Sequence, residues 1–188
     1  MASVLAGGFA DVPIDAAHTF RAALQAMARP GRIERVQDTT PPLPLSPAAG
    51  ALLLTLCDPE TPLYLAGDHD CPAVREWVTF HCGSPLVDRS GAAFAIGMWS
   101  ALMPCSDYAI GTVEYPDRSA TLVVEVDHLE PSGPRLTGPG IHDHVRLSLP
   151  ETEAFQANAV LFPLGLDFFF TSGNRLAALP RTTRVEGD

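Results

Sequence analysis

Lysine is absent from this chain: all twelve basic residues are arginine, set against 22 acidic ones, for a formal net charge of −10. That absence removes Schiff-base chemistry on a protein amine, pyridoxal phosphate attachment included. It also removes the phosphate-loop lysine of nucleotide hydrolases and the strand lysine of kinases. Basic blocks are missing too, which argues against nucleic acid or an anionic membrane as the main partner. No apolar run approaches the roughly 18 residues that span a bilayer, and residues 1–11 lack the positive start of a signal peptide. Cysteine is scarce, with four residues and no C-x-x-C pair. Reduced thiols in a cytoplasmic protein are the expectation. Nucleophile elbows (G-x-S-x-G) and H-E-x-x-H zinc motifs do not occur.

What remains is an ordinary globular composition, 46% hydrophobic and 18% charged over 188 residues. The length fits one domain spanning 1–188, with 1–13 expected to be a flexible N-terminal segment. A chain of this size buries roughly 70% of its unfolded surface and needs no staples.

Helices alternate with strands in the first half. Asp15 is a cap candidate, and Ala16 to Ala28 follows with Phe20, Leu24 and Met27 on one face, stopped by Arg29-Pro30-Gly31. A short strand is predicted over Ile33 to Val36, then a stiff Pro41-Pro42-Leu43-Pro44 connection. Ser46-Pro47 opens a helix over Ala48 to Cys57, and Pro72 to Cys82 forms another, with strands at Pro62 to Ala66 and Phe94 to Ile96. Thr121 to Val126 carries the strongest β signal. A helix over Glu151 to Val160 precedes two strands, Leu166 to Thr171 and Arg175 to Leu179, joined through Ser172-Gly173-Asn174. The fold class is α/β, a mixed β-sheet with flanking helices.

Candidate sites are few. His142-Asp143-His144 puts two imidazoles on one side of an extended chain, without a spaced third ligand group. His69, Cys71, His81 and Cys82 lack zinc spacing. Gly138-Pro139-Gly140 could form an anion nest from the amides of Gly138, Gly140 and Ile141, although Pro139 interrupts it and a tight turn explains the same residues. His18 and Arg21 sit together on the first helix. Pro180-Arg181-Thr182-Thr183-Arg184 has phosphate-binding residue types. If that stretch is extended, Arg181 and Thr183 share one face and the two arginines cannot clamp one ligand. No nucleophile, base and orienter come together, so residue chemistry alone gives no reaction and no metal site. A ligand site, if present, draws on Arg21, Arg135, Gly138, Gly140, Arg181 and Thr183.

The ordered set of short blocks is more specific than any one of them. His18-Thr19-Phe20-Arg21, Ala26-Met27-Ala28-Arg29-Pro30-Gly31 and Leu52-Leu53-Leu54-Thr55-Leu56-Cys57-Asp58 are followed by Ala120-Thr121-Leu122, Arg135 to Ile141, Phe162-Pro163-Leu164-Gly165-Leu166-Asp167 and Leu179-Pro180-Arg181-Thr182-Thr183. In this order they resemble the PhnH family, a subunit of the bacterial carbon–phosphorus lyase system. The resemblance implies a reduced fold like that of pyridoxal-phosphate-dependent transferases, without the cofactor. It implies a cytoplasmic homodimer that joins a core complex with PhnG, PhnI and PhnJ. That complex, with PhnL, places an alkylphosphonate on the ribose of a nucleoside triphosphate, giving a ribose 1-phosphonate 5-triphosphate. The resemblance supplies no catalytic residue for this subunit, and thus implies an accessory role inside a transferase complex. The alternative is a stand-alone phosphate- or phosphonate-binding enzyme or module built on arginines and backbone amides.

Overall fold

Period-two alternation in the central strands decides the layering. In a computed structural model that describes residues 6–36 and 39–187, successive side chains of each central strand enter opposite cores. Val123 and Phe169 pack on one side, Leu122, Val124, Phe168 and Phe170 on the other. Strands buried on both faces need cover on both.

The main sheet has the order β1-β8-β7-β4-β3-β2. Its strands are β1 (Glu34–Arg35), β2 (Leu63–Leu65), β3 (Phe94–Met98), β4 (Thr121–Glu125), β7 (Asp167–Ser172) and β8 (Arg175–Leu179). β2, β3, β4 and β7 run parallel; β8 pairs antiparallel with β7, and β1 pairs antiparallel with β8 at the edge. The α/β mixed-sheet expectation therefore holds. One face is covered by α1 (Val12–Ala28), α2 (Pro47–Leu56) and α3 (Pro72–His81). The other carries α4 (Trp99–Leu102), α5 (Glu153–Val160) and a small antiparallel sheet, β6-β5-β9, of Val145–Arg146, Arg135–Thr137 and Arg184–Glu186. An aromatic cluster fills this second core, with Phe155 meeting Phe168 edge-on at 5.0 Å between centroids and Phe170 at 5.7 Å.

The first helix departs from the sequence expectation in two ways. It starts at Val12, not near Ala16, with Asp11 as the cap: Asp11 Oδ1 accepts from Ile14 N, and Asp11 N donates to Asp15 Oδ2 at 2.9 Å. Asp15 thus closes the cap from within the first turn. The helix takes Val12 and Pro13 from the segment 1–13 expected to be flexible; residues 1–5 of that segment lie outside the described residues. Second, Phe20 and Leu24 do not face the core; they are 53% and 56% exposed, while Thr19, Ala22, Ala23 and Ala26 are buried. An alanine face lets α1 sit close against the equally small face of Ala48, Ala49 and Ala51 on α2. That contact excludes the larger side chains one face over.

α2 begins where the sequence placed its cap. The Ser46 hydroxyl accepts from Ala49 N at 3.2 Å, ahead of Pro47 in the first turn. Ser46→Ala is expected to cost about 1 kcal/mol. Urea unfolding should show a lower midpoint with an unchanged slope.

The β7–β8 hairpin closes through Gly173 and Asn174, with Ser172 opposite Arg175 and Gly173 at φ +58°. Positive φ at the first turn position explains the glycine.

Candidate functional site

The chain end is turned where the sequence suggested extension. Thr183 N donates to Pro180 O at 2.9 Å, so residues 180–183 form a turn before β9. The turn reverses the expected geometry and brings Arg181 and Arg184 to one cleft of about 520 Å³. Thr137, Gly138 and Pro139 form one wall, Ala159 and Phe162 another, and Thr182 lies between the arginines. Gly138, at φ +134°, packs against the backbone of 182–183: a Cβ there would stand 3.0 Å from Thr182 O.

Arg181 lines this cleft but its donors are already engaged. Nε donates to Asp167 Oδ1 at 3.2 Å and Nη2 to Asp167 Oδ2 at 2.5 Å, a two-point ion pair. Nη1 donates to the carbonyls of Pro116 at 2.8 Å and Pro163 at 3.4 Å, and Nη2 also donates to Ser119 Oγ. All five N–H groups are thereby satisfied, and the side chain is only 12% exposed. The residue ties β7, loop 116–119 and the turn at 163 together. It is an organiser of the surface and has no donor left for a ligand.

The other expected ligand residues are not collected here. Arg21 is exposed on α1, away from the cleft lining. Arg135 lies on β5 and pairs with Glu186 at 3.4 Å and Asp143 at 3.8 Å. Gly140 is a close-approach glycine: a Cβ would come within 2.1 Å of Ala28 O. Ile141 N donates to Gly138 O at 3.2 Å, so the loop is a turn whose amide is used internally, not an open anion nest. Thr183 is buried, with its hydroxyl unpartnered among the described residues.

Arg184 is the second arginine of the cleft. It is exposed on β9, lines the cleft, and has no ion pair among the described residues. Its position depends on the turn at 180–183, which the sequence does not advertise. Among the described residues no His, Cys, Asp or Glu lines this cleft.

Around Arg181 the surface is apolar. Val160, Leu161 and Phe162 are 84%, 43% and 59% exposed beside Pro163, and Val113 and Tyr115 are 80% and 50% exposed beside Pro116. One guanidinium nitrogen therefore pins two apolar loops. Arg118 covers the Tyr115 ring at 4.1 Å.

The remaining candidates stay separate. His144 Nδ1 pairs with Asp143 Oδ2 at 2.7 Å in an exposed loop. Among the described residues no three His, Cys, Asp or Glu side chains converge as metal ligands. Among the described residues no helix is long and apolar enough to cross a membrane. Burial raises the thiol pKa of Cys57 far above the usual range, that of Cys82 to about 12 and that of Cys105 to about 11. A raised pKa keeps the thiol protonated and unreactive. N-ethylmaleimide at pH 8 should therefore modify Cys71 first in the native protein, and Cys57 and Cys82 only after denaturation. Peptide mass mapping over time checks this order.

The sequence model of the family described as "Bacterial phosphonate metabolism protein (PhnH)" matches residues 7–186. A Rhizobium meliloti (strain 1021) protein named alpha-D-ribose 1-methylphosphonate 5-triphosphate synthase subunit PhnH is 39% identical over 192 residues, covering 97% of this chain and 96% of the relative. A Stutzerimonas stutzeri protein named putative C-P lyase subunit protein HtxG is 29% identical over 181 residues, covering 88% of this chain and 83% of its own.

Proposed function

Because this chain belongs to the PhnH family of bacterial phosphonate metabolism proteins, we propose that it is an accessory subunit of a carbon–phosphorus lyase complex. In that role it supports transfer of an alkylphosphonate to the ribose of a nucleoside triphosphate. The observation that carries this reading is the near-full-length match to a named synthase subunit. The internally spent Arg181 supports it, since the residue best suited to hold a phosphonate is instead fixing a surface. The stand-alone ligand module is the weaker reading: its cleft keeps a single unpaired cation, Arg184, among the described residues.

Two exposed apolar surfaces fit two kinds of contact. We assign the α1 surface with Phe20 and Leu24 to a homodimer, and the loops around Phe162 to PhnG, PhnI or PhnJ. Aromatic side chains with an adjacent arginine are the composition of interface centres. The net charge of −10 suits a more basic partner, and the reading places the protein in the cytoplasm. Kinship of the sheet with a cofactor-free transferase fold rests on the family resemblance alone.

Reconstitution tests the functional proposal. The purified chain alone should convert no nucleoside triphosphate and methylphosphonate. Adding it to the remaining subunits should restore product measured by phosphorus NMR. Turnover by the isolated chain, or full activity of the assembly without it, would defeat the accessory reading.

A further inference from the structure

Arg75, Arg89 and Arg181 border clefts in this chain, and each is spent on the protein itself. Arg75 forms a two-point pair with Asp70. Arg89 donates to the carbonyls of Met103 and Ala101, each at 2.8 Å, and pairs with Asp107 at 3.2 Å. Arg181 is held by Asp167. Arg184 differs: it is exposed in the cleft of about 520 Å³, and its donors have no partner among the described residues. Glu186, farther along β9 on the same face, is already engaged by Arg135 at 3.4 Å and by the Thr137 hydroxyl at 3.3 Å.

This free guanidinium stands on a fixed base. Arg184 lies opposite Thr137 across the small sheet, and Gly138 packs tightly against 182–183. The cleft beside it is apolar, with Pro139, Ala159 and the exposed ring of Phe162 in its lining. One fork of donors next to an exposed aromatic ring matches a carboxylate that arrives with an apolar neighbour. It does not match a free phosphate or phosphonate dianion. A single cation leaves half of that charge unmet, and a chain of net charge −10 repels it.

We propose that this cleft receives a carboxylate side chain of a partner subunit, an Asp or Glu flanked by apolar residues. Arg184 is its counter-charge and Phe162 its apolar contact. The inference rests on the accessory-subunit reading and gives the chemistry of one contact within it.

The absence of lysine makes the test specific. In Arg184→Lys the introduced amine is the chain's single lysine amine. In the reconstituted assembly a water-soluble carbodiimide should couple that amine to a partner carboxylate as an amide, with loss of water. Tandem mass spectrometry should place the cross-link on an Asp or Glu of a partner subunit. Arg184→Ala should weaken association about 30-fold, as loss of an interface centre does. Arg184→Glu should weaken it further, since it sets two carboxylates against each other. Arg75→Ala, on α3 across the main sheet, should stay within about twofold. Near-UV circular dichroism checks that the Arg184 variants, altered at an exposed position, are folded. Association as tight in Arg184→Ala and Arg184→Glu as in the unaltered chain would overturn the proposal, as would cross-links confined to this chain's own carboxylates. Release of the partners by millimolar methylphosphonate would mark a small-anion site and overturn it too. An unaltered chain that joins no assembly would defeat the accessory reading and this contact with it, a result distinct from failure in the variants alone.

Discussion

Arg181→Ala is expected to lower unfolding stability by about 3–5 kcal/mol, the range for breaking one side of a buried ion pair. The substitution strands Asp167, which is 24% exposed, and deprives the carbonyls of Pro116 and Pro163 and the hydroxyl of Ser119 of their shared donor. For a chain of this length the loss corresponds to a fall in Tm of roughly 10 °C. Arg181→Lys should recover only part of it, because an ammonium keeps the charge but cannot reproduce the planar five-donor fork. Ser119→Ala removes one of the bonds and should cost about 1 kcal/mol. Urea denaturation of the three variants gives the ranking. A loss below about 1 kcal/mol in Arg181→Ala would show that the guanidinium behaves as a solvated surface charge.

Phe162→Asp should separate assembly from folding. Phe162 is 59% exposed, so its removal leaves the core intact and should change stability within about 0.5 kcal/mol. At an interface centre, a buried aromatic is worth about 2 kcal/mol or more, roughly a 30-fold loss of affinity. The placed aspartate adds an unpaired charge to the contact. Association with the partner subunits, measured by sedimentation or surface capture, is therefore expected to weaken by at least that factor while Tm stays put. Unchanged association would remove the loops around Phe162 from the interface, leaving the α1 surface as the remaining apolar candidate.

Several elements were legible because one local signal dominated. Thr121–Glu125 is β-branched and apolar, Ser46-Pro47 is a cap followed by proline, and Gly173-Asn174 closes two apolar runs; each lies where the sequence placed it. The small sheet was not legible, since its strands are two or three residues long and their pairing depends on contacts far along the chain, such as Leu136 with Val185. Long-range pairing leaves no period to read in so short a window. The buried face of α1 does not follow from hydrophobic size: Phe20 and Leu24 make the larger apolar stripe, yet the alanines are the residues buried against α2.

Of the residues expected to hold a ligand, Gly138 and Arg181 line one cleft, whereas Arg21, Arg135, Gly140 and Thr183 are not among its lining. Residue type marked Arg181 as important but could not say whether its partners were internal. That depends on Asp167, Pro116, Pro163 and Ser119, which only the fold brings together.

The most direct measurement is capture of the tagged chain from source cells grown with methylphosphonate as sole phosphorus, followed by native mass spectrometry. The accessory-subunit account predicts that PhnG, PhnI and PhnJ come down with it in fixed stoichiometry, and that Phe162→Asp releases them. Recovery of the chain free of these subunits, under conditions where they are expressed, would contradict it.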